Sequence, residues 1–218
     1  VKNLIQSNPA QASEEAGELL KGKNKKNVDL VTSVAHVYLN AGKITEAQEY
    51  LAMAKKANNK DPKVSVLEGD IALAQKNIGQ ACQLYEQAIY FDPNCKEAYL
   101  KYAQAYKSAS PTQAIEKLEQ LKAVDPNCLE ADRELAEVYY SGNRFGKAAE
   151  MYAKFIDTPL ATEDDMLKYA FALFLNHDFE KSLQVAQKGL QKNARHAAFN
   201  RLVMYNNTDL KRYEDAEK

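Results

Sequence analysis

The chain has 218 residues, 45% of them hydrophobic and 27% charged, and a formal net charge of −1. No run of apolar residues approaches the roughly 18 needed for a membrane-spanning helix. We expect no secretory leader at residue 1, which is also the pattern of a mature or excised product. We therefore expect a soluble protein without a membrane span, for which a cytoplasmic and a periplasmic location both stay open. The near-balanced charge argues against a nucleic-acid-binding protein, which needs a cationic groove to neutralise phosphates.

Small residues recur along the chain at a near-constant interval of roughly 34 residues, which indicates one structural unit stacked repeatedly. They are Ala47, Ala81, Ala114, Ala148, Ser182 and Ala216. Other apolar positions keep the same period, and within a unit they are spaced by three and four residues, which predicts helices. We expect fuller repeats at about 28–62, 63–95, 96–128, 129–162 and 163–195, with partial units at 1–27 and 196–218, in a single repeat domain.

Each unit is predicted to contain two helices joined by a tight turn. Turn-prone residues such as Asn40-Ala41-Gly42 and Ser141-Gly142-Asn143 separate the two helices of a unit. Asp61-Pro62, Asp92-Pro93 and Asp125-Pro126 mark the joints between units, because proline cannot continue a helix. From the incomplete units at both ends we expect a piece of a longer repeat protein; the alternative is a natural terminus that frays.

The pattern resembles the tetratricopeptide repeat family. Residues 96–126, with Tyr99, Tyr102-Ala103 and the closing Pro126, follow the family pattern closely, whereas Ser182 and Gly189 replace alanines in the fifth unit. The resemblance implies an all-α fold, an α-α superhelix of about five to six helix-turn-helix repeats. It also implies that the first helix of each unit lines a concave groove that binds an extended peptide or a partner helix.

Mapped by helical spacing, the resemblance places a set of polar and aromatic residues in this groove. They are His36, Asn40, Asp70, Lys101, Gln104, Arg133, Glu137 and Tyr140. For His36 the competing interpretation is a solvated side chain. The lysine, asparagine and arginine set with which some relatives grip a C-terminal carboxylate is missing at the matching positions, so chaperone-tail binding is not expected.

The first helix of the fifth unit is apolar on all sides. Tyr169, Ala170 and Leu173 supply its packing face, while Leu167, Phe171 and Phe174 lie elsewhere on the helix. A helix that is apolar all round is usually buried. Two interpretations stay open: an apolar hot spot for a partner, or burial by curvature or by further repeats.

Catalytic and metal-binding motifs are not found in the sequence. The three histidines lie far apart, and no phosphate loop, nucleophile elbow or HExxH pattern occurs. We expect a non-enzymatic protein, without cofactor or metal, that binds a protein or peptide and no nucleic acid. The alternatives are an accessory repeat region of a larger enzyme or envelope-assembly protein, and a self-associating structural array.

Overall fold

A computed structural model describes residues 1–211, and these are α-helical without a β-strand. The all-helical repeat fold expected from the period is thus confirmed. The chain divides into two compact parts, each larger than a repeat, which we call unit 1 (Val1–Lys117) and unit 2 (Leu118–Lys218).

Unit 1 consists of successive helical hairpins, preceded by one helix and a short 3₁₀ helix at Gly22–Lys26. In chain order its helices are α1 (Pro9–Leu19), α2 (Val28–Asn40), α3 (Ile44–Asn58), α4 (Pro62–Ala74), α5 (Ile78–Phe91), α6 (Lys96–Tyr106) and the first half of α7 (Pro111–Val124).

Unit 2 begins within α7 and continues in the same manner. Its remaining described helices are α8 (Leu129–Ser141), α9 (Phe145–Phe155), α10 (Glu163–Leu175), α11 (Phe179–Lys192) and α12 (Ala197–Asp209). We call α2, α4, α6, α8, α10 and α12 the first helices, because each lies at the start of a predicted repeat.

The periodic small residues are buried in the packed helical array. Ala47, Ala81, Ala114, Ala148 and Ser182 are fully buried, and Ala216 lies outside the described residues. Gly69 plays a similar part: a Cβ atom added there would stand 2.5 Å from the ring of Tyr85. The absence of side-chain bulk therefore allows α5 to pack directly on α4.

The turns and joints use local hydrogen bonds. In the first hairpin Gly42 has a φ of +77°, and the amides of Gly42 and Lys43 donate to the carbonyls of Leu39 and Tyr38 at 2.9 Å. This closes α2 by a Schellman motif. At the first Asp-Pro joint, the Asp61 carboxylate accepts the Lys63 amide at 3.0 Å, which caps α4.

Candidate partner-binding face

In unit 1, side chains from three consecutive first helices meet at Asp70. His36 Nε2 on α2 lies 2.9 Å from Asp70 Oδ2, and Lys101 Nζ on α6 donates to the same oxygen at 2.7 Å. The Tyr85 hydroxyl, on α5, donates to Asp70 Oδ1 at 2.8 Å. Asp70 is only 8% exposed. Three of the predicted groove residues thus form one polar cluster that links α2, α4 and α6.

The cluster explains the electrostatics of Asp70. Burial by itself raises the pKa of this carboxyl, but hydrogen bonds from His36, Lys101 and Tyr85 outweigh burial and hold the pKa below its ordinary value. Burial, and then the adjacent Asp70 charge, raise the pKa of Tyr85 far above its usual range. Asp70 is therefore an ionised acceptor whose charge is compensated within the protein.

Unit 2 repeats this arrangement at Glu137. The Tyr152 hydroxyl donates to Glu137 Oε1 at 2.8 Å, and Lys168 Nζ lies 3.0 and 2.9 Å from the two carboxylate oxygens. Partial burial lowers the pKa of Lys168, but hydrogen bonds to Asp164 and Glu137 outweigh it and raise the pKa. The tyrosine follows the acid by 15 residues and the lysine follows by 31 in both units.

Arg133 of α8 also forms an ion pair with an acidic residue of α10, the first helix that follows α8. Its Nε lies 3.1 Å from Asp165 Oδ1, and a terminal guanidinium nitrogen lies 3.0 Å from Asp165 Oδ2. Asp165 is 1% exposed, and it also accepts the Thr162 amide at 2.8 Å in the capping box of α10. Arg133 is thus committed to a buried carboxylate, which joins α8 to α10.

An open pocket of about 420 Å³ lies beside the Asp70 cluster. Leu39 and the exposed Asn40 come from α2, and the exposed Leu73 and Ala74 come from α4. Glu97 and Lys101 of α6 complete its wall. The pocket lining thus combines apolar side chains with the amide of Asn40. Gln104, on the same helix as Lys101, is exposed and does not line it.

In unit 2 the predicted aromatic residues are half-buried. The Tyr140 ring packs edge-on against Phe145 and Tyr152, with centroid distances of 5.7 and 6.5 Å. The side chains predicted as a hot spot are packed against a buried cluster from α10, α11 and α12. They are Leu167, Phe171 and Phe174. The α12 helix therefore covers part of the apolar surface of α10 and leaves part of it accessible.

Helical spacing selected His36, Asp70, Lys101, Arg133 and Glu137 but missed several of their partners. The partners that it did not select as site residues are Tyr85, Tyr152, Lys168 and Asp165. In both units the acid is followed by a tyrosine and a lysine at the same spacing, and this pattern could have identified Tyr85, Tyr152 and Lys168. Asp165 carries no such signal, because its burial depends on how α8 and α10 pack.

Residues 1–211 contain no group of three or more His, Cys, Asp or Glu side chains placed to hold a metal ion. Over the same residues, no helix is both long and apolar enough to cross a bilayer.

The sequence profile described as tetratricopeptide repeat matches residues 35–95 and 104–161, which is more than half of the chain. No curated protein matches the sequence.

Solved structures of repeat proteins resemble the fold. PilF of Pseudomonas aeruginosa is 15% identical, with 89% of this chain and 90% of that chain covered and a TM-score of 0.70. PilW, described as a type IV pilus biogenesis factor, is 16% identical, with 86% and 94% covered and a TM-score of 0.66. YrrB, described as having an unusual peptide-binding site, is 13% identical, with 84% and 95% covered and a TM-score of 0.60. At these identities the likeness concerns the fold.

Proposed function

The chain belongs to the tetratricopeptide repeat family, and on that premise we propose that it is a non-catalytic scaffold whose first helices bind a protein or peptide partner. The repeat fold supports protein interaction in general, since stacked hairpins present an extended surface. The surface that we propose for the partner consists of the side chains of the first helices.

The observation that carries the proposal is the open pocket between α2, α4 and α6. Its polar wall is fixed by the Asp70 cluster, in which His36 and Lys101 are both within hydrogen-bonding distance of one buried carboxylate. A surface fixed in this way loses little conformational freedom when a ligand binds. Leu73 and Asn40 remain exposed beside it, and they offer an apolar contact and an amide to a peptide.

The test is partner capture with the full chain, in which the pocket is filled by substitution. The double variant Asn40→Arg, Leu73→Arg adds bulk at two exposed positions, so folding is preserved. We expect a partner captured by the unmodified chain to bind the double variant at least about tenfold more weakly, which corresponds to ~1.4 kcal/mol. Circular dichroism and the thermal midpoint check the fold.

The matched control is Tyr90→Arg on α5. Tyr90 is 82% exposed and lies on the second helix of its repeat, outside the pocket. This variant should bind as the unmodified chain does. Equal retention of every partner by the pocket variant would place the binding surface elsewhere. Arg133→Glu is unsuitable as a probe, because it would set a carboxylate against the buried Asp165.

A further inference from the structure

Two pairs of first helices carry an ion pair at equivalent positions. Asp70 of α4 is paired with Lys101 of α6, and Glu137 of α8 is paired with Lys168 of α10. One repeat beyond Glu137 and Lys168, the equivalent positions are Phe171 of α10 and Arg201 of α12. The acid is thus replaced by an aromatic ring, whereas the cation is kept.

The register of α12 supports this equivalence. Met166 of α10 and Phe199 of α12 are both buried in the same apolar cluster. Leu173 and Asn206 are the same number of residues apart as Met166 and Phe199, and both are buried as well. Lys168 and Arg201 share this separation, so Arg201 occupies in α12 the position that Lys168 occupies in α10.

Arg201 has a different environment from its two counterparts. Lys101 and Lys168 each bind a carboxylate across the helix pair, whereas Arg201 is exposed and forms no ion pair with residues 1–211. Its neighbours three and four positions along α12 are Ala197, Ala198, Met204 and Tyr205, none of which is acidic. Within the described part of the chain, Arg201 is therefore a cation without a carboxylate beside an apolar stretch.

The surface next to Arg201 is apolar and partly accessible. Met204 is 39% exposed, and Tyr205 and Leu175 are each 43% exposed. The rings of Phe174 and Tyr205 are in contact, with centroids 6.2 Å apart, and Phe171 is half-buried. Large apolar side chains gathered at one surface are typical of an interaction site.

We propose that α10 and α12 bind an acidic, apolar peptide segment of a partner protein. Its apolar side chains contact Phe171, Phe174, Met204 and Tyr205. Its carboxylate pairs with Arg201, as Asp70 pairs with Lys101 and Glu137 with Lys168. This inference rests on the proposed function and names the chemistry of the partner at unit 2.

The test uses the full chain and an array of short peptides that carry Leu or Phe at helical spacing. Each peptide is made in an Asp/Glu version and in a matched Asn/Gln version. We expect acidic peptides to bind about three- to fivefold more tightly than their amide counterparts, the range of an exposed ion pair. Raising the salt concentration should reduce this preference.

Substitutions at Arg201 then separate charge from apolar contact. Arg201→Gln should abolish the preference for acidic peptides, and Arg201→Glu should reverse it in favour of Lys-containing versions. Met204→Ser should weaken both versions alike, since Met204 is exposed and its loss does not disturb the core. Tyr90→Ser on α5 is the control and should change neither.

The outcomes distinguish this inference from the proposed function. Equal binding of the acidic and amide peptides, or a preference unaffected by Arg201→Glu, would overturn the inference alone. If no peptide binds but a captured partner is lost in the Asn40→Arg, Leu73→Arg variant, the inference fails and the proposed function stands. If neither experiment detects binding, both fail.

Discussion

Asp70 lies at a point where donors from three different helices converge on one carboxylate. A buried carboxylate is costly unless its oxygens accept hydrogen bonds, and here Oδ2 is close to His36 and Lys101 while Oδ1 accepts from Tyr85. Removing the charge would leave these donors without their acceptor. We therefore regard Asp70 as the residue whose substitution most directly uncouples neighbouring repeats in unit 1.

The first prediction concerns Asp70→Asn and its pH dependence. The folded protein holds the pKa of Asp70 below its ordinary value, so ionised Asp70 stabilises the fold above the unfolded pKa of about 4. This stability is lost as the pH falls through the folded pKa. We expect Asp70→Asn to cost about 1.5–3 kcal/mol at pH 7 and to lose less stability than the unmodified chain between pH 5 and 2. Urea unfolding at a series of pH values measures both effects.

Asp29→Asn is the matched control for that experiment. Asp29 on α2 pairs with Lys63 on α4, but its side chain is 68% exposed. An exposed ion pair contributes about 0–1 kcal/mol, so this variant should remain close to the unmodified chain at every pH. If the acid-range slopes of the Asp70→Asn variant and the unmodified chain were parallel, the cluster would not hold Asp70 ionised.

The residues of the candidate site could be predicted from the sequence only in part. Helical spacing selected Asp70, Lys101, Glu137 and Arg133, because the repeat fixes which side of a helix a residue occupies. It did not predict that these charges would pair across repeats, because pairing depends on the offset between packed helices. Their side chains were expected to face a ligand, whereas several are engaged with one another.

At the scale of the helix pair, the turns adopt a backbone conformation that the positions of glycine alone do not predict. Left-handed backbone recurs at Gly42, Lys76, Asn143 and His177, all between the two helices of a repeat. Only one of these four residues is glycine, so the other turns could not be identified from glycine alone. The asparagine and lysine adopt this conformation because the Schellman hydrogen bonds of the hairpin fix it.

The second prediction concerns the close approach of α4 and α5. Replacing a glycine inside a helix by alanine ordinarily stabilises it by about 0.5–1 kcal/mol. Gly69→Ala should instead destabilise unit 1 by about 1–3 kcal/mol, because the new Cβ atom would stand 2.5 Å from Cε1 and 2.8 Å from Cδ1 of the buried Tyr85 ring. The midpoint of thermal or urea unfolding measures the change.

Gly17→Ala provides the control on α1. A Cβ atom there meets nothing within 4 Å, so the ordinary helix preference should prevail and the midpoint should rise. A stabilised Gly69→Ala variant would show that the α4–α5 packing is looser than described. Loss of stability in both variants would indicate a general intolerance of alanine rather than a clash at Tyr85.

For the molecule as a whole, the period was sufficient to predict the fold class, because each repeat makes its principal contacts with its neighbours along the chain. Such an architecture requires only the hairpin and its nearest-neighbour packing to be specified. Ala47, Ala81 and Ala114 mark that packing at successive steps. The bounds of the repeats stay a prediction, since helix ends alone do not define where one repeat passes into the next.

The last prediction tests whether a disturbance stays local, as nearest-neighbour coupling requires. Gly69→Ala should raise amide hydrogen exchange in α4 and α5 and in the adjoining α2, α3 and α6, while exchange in α11 and α12 is unchanged. Gly189→Ala should do the reverse, since its Cβ atom would stand 2.6 Å from the buried Phe199 ring, between α11 and α12. Mass spectrometry of peptic fragments resolves these regions. Faster exchange throughout the chain in either variant would mean that residues 1–211 unfold as one cooperative body, and the binding surfaces on α4 and α10 would then be energetically coupled rather than independent.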